Sequence, residues 1–468
     1  MNAYIVAAVQ IWYNNAEWAE NGVKVMLEKY IRIDPHKVIG SIKPMHGVGG
    51  GPVTSNFSFD ASEQFRAAGI PFGRTHDIEY PFGSGEFVDV HCIFPCFDAD
   101  TNDPKAYNFT FTDEYLRAML EAGTEPFYRL GASIEHQPIK RHILPPNDFQ
   151  KYADICSHIV AHCNEGWANG YKRNIRYWEI WNEPDIPQCW SGTDQEMFEL
   201  YRVIASTLKR EHPDIKVGGL ALTSPWSRMF EPFLHYVKDK DCPLDFVSWH
   251  GYCHTPQKAV EAAEKAAGLM GQYGFSECES IYNEWNYVVD WQDIQPSLDL
   301  HKTAFCAAFM AAVISGIQST RTDKLMFYDA QAHLTSWNNL FVPKPMKEHA
   351  GRRKVDTLKG YWALYGWNEL YQAGAQLYSE ADSDLWCTAA RAEDGDILLY
   401  VSYFNDDAGL NACPPEDARI IIEMPGISGM KINQVDDTHD FDATLLTGNT
   451  FEMRGNSFAL VHLKTKTV

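Results

Sequence analysis

The sequence predicts a (β/α)₈ barrel followed by an antiparallel β-sandwich. Eight short apolar runs typical of strands lie between residues 38 and 370, and segments of helical period separate them. After residue 370 the pattern changes to short alternating runs divided by turn clusters, which favours a sandwich. A chain of 468 residues is longer than a single hydrophobic core usually supports, so a large domain and a smaller one are expected.

The predicted units are a barrel at residues 38–370, a sandwich at 371–468 and an N-terminal strand region at 1–37. The alternation of MNAYIVAAVQIWY in that last region is compatible with a further sandwich strand. Eight strands with intervening helices favour a closed barrel over an open doubly wound sheet. The predicted barrel strands are 38–48, 69–76, 125–131, 175–184, 216–222, 246–252, 280–286 and 324–330, and the clearest helices are 147–166, 194–212, 258–273 and 298–316.

Composition excludes several classes of partner. The formal net charge of −22 gives a surface that repels nucleic acid, anionic lipid and polyanionic glycans, so neutral or small substrates are expected. With 14 Trp, 23 Tyr and 25 Phe, the chain has aromatic rings for stacking on sugars, although most of them are expected in the core.

The cysteines and the N-terminus predict a soluble, cytoplasmic protein. Eleven Cys form an odd set without a CxxC pair, which reduced thiols explain most simply. The first residues lack the basic segment and the small-residue cleavage site of a secretory signal. The longest apolar stretch, residues 304–317, is too short for a membrane span and suits a buried helix.

Two glutamates carry the predicted chemistry. Glu183 in RYWEIWNEPD and Glu284 in SIYNEWNY both follow apolar, aromatic strands, at the carboxyl ends that form the open face of a barrel. Glycosidic cleavage needs one carboxyl that protonates the leaving oxygen and a second, ionised one that attacks the anomeric carbon. The two strand tips therefore predict a glycosidase, for which no cofactor is expected.

The chain resembles glycoside hydrolase family 39, the β-xylosidase and α-L-iduronidase family, within the clan of retaining barrel glycosidases. WNEPD is specific for the clan, and the other stretches carry weight through their order along nearly the whole chain. Those stretches are KPMHGVGGGP (43–52), GRTHD (73–77), FYRLG, WEIWNEPD, SWHGY (248–252), NEWN and YWALYGWNELYQAG (361–374).

This resemblance implies roles for individual residues. Glu183 is expected to be the acid/base and Glu284 the nucleophile, with Asn182 bonded to the sugar 2-hydroxyl. Either Tyr252 or Tyr282 is expected to donate to the nucleophile. The remaining expected contacts of the first sugar subsite are His250, His46, Arg74 and Trp337, with Arg74 also lowering the pKa of Glu284.

Other interpretations remain open at this point. A barrel that binds carbohydrate without catalysis is disfavoured by the presence of both glutamates, and a metal site by the absence of tight ligand spacing. Iduronidase-like members have a basic residue two places after the sixth-strand histidine, where this chain has Tyr252. A neutral β-xyloside is therefore the first expectation, and a β-galactoside or an α-L-arabinoside comes next.

The segment at residues 77–112 interrupts the rhythm of strands and helices. It is rich in Phe, Pro, Asp and Asn, and a loop of this length usually serves a site. We expect it to shape the pocket. If it closes one end of the pocket, the enzyme removes single terminal sugars (exo action). If it leaves the pocket open, internal cleavage becomes possible (endo action). The resemblance also implies a homo-oligomer, a dimer or a tetramer.

Overall fold

A computed structural model describes residues 26–54, 58–78, 85–331, 336–344 and 353–465 of the chain. Within them, eight parallel strands close into a barrel, and nine other strands, most of them after the barrel in the chain, form a separate and mostly antiparallel sheet. The predicted fold, a (β/α)₈ barrel with a sandwich, is confirmed. Residues 1–25 of the predicted N-terminal strand region lie outside the described residues. No described helix is both long and apolar enough to cross a membrane.

The barrel strands follow the order of the chain around the barrel, and β10 closes it by pairing with both β9 and β2. In chain order the strands are β1 (Leu27–Ser41), β2 (Gly47–Gly49), β3 (Phe59–Asp60), β4 (Phe72–Thr75), β5 (Glu125–Leu130), β6 (Tyr177–Ile180), β7 (Lys216–Leu222), β8 (Phe246–His250), β9 (Glu279–Trp285), β10 (Lys324–Phe327), β11 (Phe341–Pro343), β12 (Arg353–Thr357), β13 (Ala375–Ala381), β14 (Leu385–Arg391), β15 (Ile397–Tyr403), β16 (Ala418–Glu423), β17 (Ile427–Val435), β18 (Asp440–Thr447), β19 (Thr450–Met453) and β20 (Ser457–Thr465).

The helices lie largely where the apolar period places them. They are α1 (Ser62–Ala67), α2 (Val90–Ile93), α3 (Thr110–Glu121), α4 (Phe149–Asn164), α5 (Asp194–Glu211), α6 (Phe230–Asp239), α7 (Pro256–Tyr273), α8 (Gln295–Leu300), α9 (Ala304–Gln318) and α10 (Lys359–Ala373). A capping box between Thr193 and Glu196 starts α5, and Gly274 with φ of 88° ends α7. The single helix predicted at 298–316 is instead divided between α8 and α9.

The first predicted strand, at residues 38–48, is wrong in its first part. Residues up to Ser41 belong to β1, which pairs with β13 and β16 in the nine-stranded sheet. The barrel strand begins only at Gly47, where an added Cβ would lie 3.0 Å from the Met326 side chain and 3.1 Å from the Leu325 carbonyl oxygen. A side chain at this position would crowd the neighbouring strand, and the glycine found there weakens the strand signal in the sequence.

Side chains that point into the barrel form layers. At the amino ends of the strands an apolar layer fills the interior, made of Phe72, Phe127, Tyr177, Phe246, Ile281 and Met326. Two residues further along β4, β6 and β9 stand Arg74, Glu179 and Asn283, all buried. Because strand side chains alternate with a period of two, these polar groups form the next layer toward the carboxyl ends. The barrel is therefore closed at its amino end and polar toward its carboxyl end.

The nine-stranded sheet curls around a core of its own. That core collects Ile31 of β1, Leu399 of β15 and Ile420 of β16, among others, from strands across the sheet. The opposite face packs against the barrel helices: Ser402 donates to the Ala308 carbonyl oxygen at 2.8 Å, and Tyr400 to that of Ala363 at 2.9 Å. Every residue of α9 is buried at this junction, which explains its continuous apolar run.

Candidate active site

A buried arginine organises the floor of the site. Arg74 on β4 is 1% exposed, and its Nε donates to Glu179 at 2.7 Å. Its Nη1 donates to Glu284 Oε2 at 3.0 Å and its Nη2 to Asn182 Oδ1 at 2.7 Å. Glu179 also accepts from Asn283 Nδ2 at 2.6 Å. Since a buried charge needs partners on every side, this network fixes the orientation of Asn182 and Glu284.

Glu183 stands where the backbone turns sharply after β6. Trp181 and Glu183 have φ of 72° and 43°, a region that costs energy for residues with a side chain. The Glu183 amide donates to the Ala221 carbonyl oxygen at 2.9 Å, which secures the turn. Burial, together with the neighbouring Asp185 carboxylate, raises the pKa of Glu183 to about 8. This carboxyl therefore holds its proton at neutral pH.

Glu284, near the end of β9, is 6% exposed and accepts from two groups. Besides the contact with Arg74, the Tyr252 hydroxyl donates to Glu284 Oε1 at 2.5 Å. Burial raises the pKa of Glu284, and the arginine charge and the tyrosine hydrogen bond act in the opposite direction. Of the two carboxyls, Glu284 is therefore the one provided with donors for its ionised form.

His250, at the end of β8, lies between the two carboxyls. Its Nδ1 is 2.7 Å from Glu183 Oε1 and 3.6 Å from Glu284 Oε2. Burial lowers the pKa of His250 to about 4, so the ring is neutral at pH 7. One polar atom each of Glu183, His250 and Glu284 lies within 4.8 Å of the others. Two carboxyls that differ in proton affinity thus face each other across a short gap.

A cavity of about 880 Å³ opens above this pair at the carboxyl ends of the strands. Such a volume lies within the range of sites that enclose small molecules, about 300–1,000 Å³. The lining residues are His76, Asp77, Ile134, His136, Asn182, Glu183, Ile186, Thr223, Ser224, Trp226, Gly251, Tyr252, Cys253, Lys258, Glu261, Ala262, Tyr282, Glu284, Trp291, Tyr328 and Trp337.

Most residues predicted for the site meet at this cavity. Asn182, Tyr252, Tyr282 and Trp337 line it, and the Trp337 ring lies 5.4 Å from that of Tyr252. Between the two tyrosines the structure selects Tyr252 as the donor to the second glutamate, since Tyr282 donates to the Gly251 carbonyl oxygen. His250 and Arg74 lie directly beneath the cavity, where His250 contacts Glu183 and Arg74 contacts Glu284.

His46 does not belong to the site, and its predicted place in the subsite is wrong. It precedes β2 and so lies at the closed, amino end of the barrel. Its Nε2 forms a hydrogen bond with the Gly69 carbonyl oxygen at 3.1 Å, and its ring packs 5.4 Å from that of Tyr371. The stretch KPMHGVGGGP continues into β2, but His46 comes before this strand and not after it.

The described part of the loop at 77–112 contributes little to the lining. Residues 79–84 lie outside the description, and from the remainder only Asp77 reaches the cavity. Phe87 packs against Tyr115 of α3. Asp89 accepts from Arg129 at 2.6 Å inside the barrel. Residues 85–112 therefore pack mainly against the barrel, and Asp77 is the residue through which the described part of the loop reaches the pocket.

The family model for Glycosyl hydrolases family 39 matches residues 29–335, more than half of the chain. The chain belongs to glycosyl hydrolases family 39. The predicted resemblance is thereby confirmed, and the matched range contains both glutamates of the cavity.

Curated relatives agree with this membership. The chain is 28% identical over 265 residues to a beta-xylosidase of Geobacillus stearothermophilus, covering 50% of this chain and 51% of the relative. It is 27% identical over 237 residues to a beta-xylosidase of Caldicellulosiruptor saccharolyticus, covering 46% and 47%. These alignments span about half the length of the curated relatives.

Solved structures share the fold over nearly the whole chain. A glucosidase from Croceicoccus marinus superposes with a TM-score of 0.74 at 21% identity, covering 95% of this chain and 100% of that one. A monomeric beta-xylosidase from Caulobacter crescentus CB15 gives a TM-score of 0.66 at 17% identity, covering 94% and 100%. At these identities the likeness shows the architecture of this family 39 chain.

Several cavity residues were missed in the sequence. His76 lies two residues after Arg74, so strand alternation could have placed it on the same side. Tyr328 follows β10 and donates to Asp77 Oδ2 at 2.8 Å, as a residue at a strand end can. Trp226 lies in the loop after β7, and nothing in the local pattern identifies it as a cavity residue.

The arrangement of Glu183, His250 and Glu284 has the ligand types and the spacing of a metal site. The fixed positive charge of Arg74, 3.0 Å from Glu284, opposes a divalent cation at that position. The arginine therefore disfavours a metal ion at this position. Activity that survives treatment with a chelator would confirm that no metal takes part.

Proposed function

We propose that this chain is a retaining glycoside hydrolase in which Glu183 is the acid/base and Glu284 the nucleophile. The observation that carries the proposal is the approach of the two carboxyls, with an oxygen of each within 4.8 Å. Retaining enzymes have carboxyl groups about 5–5.5 Å apart, whereas inverting enzymes leave about 6.5–9.5 Å for a water molecule. The short gap supports attack by the enzyme itself.

The reaction proceeds by double displacement. Glu284 attacks the anomeric carbon while the bond to the leaving oxygen breaks, and that oxygen takes the proton of Glu183. Water then attacks the same carbon, gives its proton to Glu183, and the bond to Glu284 breaks. The two inversions leave the configuration of the sugar unchanged.

Neighbouring residues support each step. The hydrogen bonds from Arg74 and Tyr252 favour the ionised nucleophile before attack and after release. Asn182, held by Arg74, is placed to bond the sugar 2-hydroxyl, a contact that strengthens as the oxocarbenium-like state forms. His250 Nδ1 lies 2.7 Å from Glu183 Oε1 and orients that carboxyl from beneath the cavity.

A β-xyloside or a closely related neutral glycoside, cleaved from the chain end, is the substrate we propose. Both curated relatives are beta-xylosidases, and the net charge of −22 disfavours anionic sugars. Tyr252 donates to the nucleophile at the position where a uronic acid would need a cation. The rings of Tyr252, Tyr328 and Trp337 form one wall of the cavity, which supports exo action.

A panel of aryl glycosides tests the proposal. The wild type is expected to hydrolyse the β-xyloside faster than the β-galactoside, β-glucoside, α-L-arabinoside and α-L-iduronide, with the product configuration followed by NMR. Fastest turnover of another neutral member would replace the substrate and keep the mechanism. No turnover of any member, with retained sugar binding, would instead indicate a binding-only barrel.

The pH dependence follows from the two carboxyls. The active form has Glu183 protonated and Glu284 ionised, so kcat/KM should fall on the alkaline side as the pH rises through about 8, the pKa of Glu183. It should fall on the acid side as Glu284 gains a proton. A pH profile of kcat/KM on an aryl glycoside measures both limbs. An alkaline limb that persists unchanged in Glu183→Gln would contradict the assignment.

Tyr252→Phe is expected to lower kcat about 10- to 100-fold, since a hydrogen bond to a charged group contributes about 1.5–3 kcal/mol. The ring contacts with Trp291 and Trp337 remain, so the wall stays packed. Without the hydroxyl, the pKa of Glu284 should rise and move the acid limb to higher pH. Tyr282→Phe, which loses a bond to backbone rather than to Glu284, is the matched control. Equal profiles for both variants would refute the role of Tyr252.

A cytoplasmic location is a further proposal. All eleven cysteines lie within the described residues and have free thiols, which suits a reducing compartment. Cell fractionation tests the location. We also propose a homo-oligomer, for which light scattering of the purified chain gives the mass.

A further inference from the structure

An exposed tryptophan stands on the rim of the cavity without a structural reason for its position. Trp226 is 57% exposed although it is large and apolar. Within the described part of the chain, no other aromatic ring packs against it. Exposed aromatic side chains at the edge of a concave site are typical of ligand contacts.

The loop that carries Trp226 is tied to the segment of the proposed acid/base. Thr223 donates from its hydroxyl to Asp185 Oδ2 at 2.5 Å, and its amide donates to the same carboxylate at 3.2 Å. One residue further, the Ser224 hydroxyl accepts from the Trp226 amide at 3.2 Å. Because Asp185 lies two residues after Glu183, these bonds fix Trp226 relative to the carboxyl that gives the leaving group its proton.

A second exposed tryptophan, Trp291, lies near the other glutamate. Trp291 is 59% exposed, and its ring lies 4.9 Å from that of Tyr252, the donor to Glu284. The cavity therefore has a wall on the nucleophile side, next to Trp291, and a wall on the acid side, next to Trp226. The sugar that is attacked must contact Glu284, so the leaving group must lie toward the acid side.

The cavity has room and suitable chemistry for a second ring. The cavity of about 880 Å³ is close to the upper end of the range for small-molecule sites, about 1,000 Å³, and exceeds the needs of one sugar. Ile186 and Ala262 add apolar surface, and the side chains of Lys258 and Glu261 line the same cavity. A ring with a flat apolar face and polar edges matches this combination.

We propose that Trp226 forms the leaving-group subsite and stacks on a neutral sugar ring or a planar aryl group. This inference rests on the proposed function. It adds that specificity for the departing group resides in the loop after β7, while Trp291 belongs to the wall behind the attacked sugar. The shared feature of the two ligands is the flat apolar face.

The test separates the two chemical steps. The leaving group is present during attack by Glu284 and absent during hydrolysis of the glycosyl-enzyme. Trp226→Ala should lower kcat/KM for a disaccharide and for a methylumbelliferyl glycoside about 3- to 10-fold, the size of one lost stacking contact. Its kcat on a dinitrophenyl glycoside should be unchanged if a burst of dinitrophenolate shows that hydrolysis of the intermediate is slow.

Two variants serve as controls. Trp226→Phe keeps a ring and should restore most of kcat/KM. Trp291→Ala, which alters the wall next to Tyr252, should change both steps. A loss for the disaccharide alone assigns the subsite to sugars, and a loss for the aryl glycoside alone assigns it to aryl groups. Unchanged kcat/KM for both, or equal losses in both steps, would overturn the subsite in an active enzyme, whereas an inactive wild type would overturn the proposed function itself.

Discussion

Glu284→Gly is expected to lower turnover of the preferred glycoside by on the order of 10⁴-fold or more, because no other group can form the glycosyl-enzyme. The expectation depends on the position of this carboxylate. It is buried, bonded to Arg74 at 3.0 Å and to Tyr252 at 2.5 Å, and within 4.8 Å of its partner carboxyl. No other acidic side chain of the described cavity has both donors.

The loss can be distinguished from misfolding by chemical rescue. Glycine leaves a space that a small anion such as azide can enter and attack the anomeric carbon, with Glu183 still supplying the proton. The glycosyl azide should have the configuration opposite to that of the substrate, since only one displacement occurs. Glu277→Gly, at an exposed glutamate just before the same strand, is the matched control and should retain full activity. Wild-type rates in Glu284→Gly would refute the assignment.

The meeting of the two glutamates at one end of the barrel was predictable because its signals are local. Glu183 follows the apolar strand β6 and Glu284 lies near the end of β9, and parallel strands bring their carboxyl ends to one face. Strand position therefore defines which face a residue occupies, although it gives no distances. The approach of the two carboxyls to within 4.8 Å depends on barrel closure, through the pairing of β10 with β2, which no local pattern encodes.

The wrong prediction for His46 has its physical origin in the strand that follows this residue. His46 lies in a segment rich in glycine, where the short strand β2 leaves little periodicity to show where the barrel begins. An error of one or two residues in the predicted start of so short a strand decides whether a side chain comes before or after it. The sequence therefore favours the open end of the barrel for His46, whereas this residue lies at the closed end, beside Gly69.

The choice between Tyr252 and Tyr282 shows a second limit. Tyr252 follows strand β8 and Tyr282 lies within β9, the strand of Glu284, and both hydroxyls can reach polar atoms nearby. The outcome depends on side-chain direction: Tyr282 stacks on Trp249 at 4.1 Å, which turns its hydroxyl toward the Gly251 carbonyl oxygen. Contacts of this kind arise between strands β8 and β9, so a single sequence leaves both alternatives open.

Glu183→Ala is expected to have an effect that depends on the leaving group. For a substrate with a poor leaving group, such as a disaccharide, the rate should fall about 10²- to 10⁴-fold because the departing oxygen receives no proton. For a dinitrophenyl glycoside the first step needs no acid and should remain fast. The second step should then be slow, since no base activates water.

The test for Glu183 is a plot of log kcat/KM against the pKa of the leaving group. In the wild type the slope should be shallow, because the proton from Glu183 offsets the charge on the oxygen. In Glu183→Ala it should become steep, and the alkaline limb near pH 8 should disappear. Azide should speed the second step and give a product with the configuration of the substrate, opposite to the product expected from Glu284→Gly. A uniform loss with every leaving group would indicate that Glu183 acts in binding, and the role of proton donor would pass to another residue.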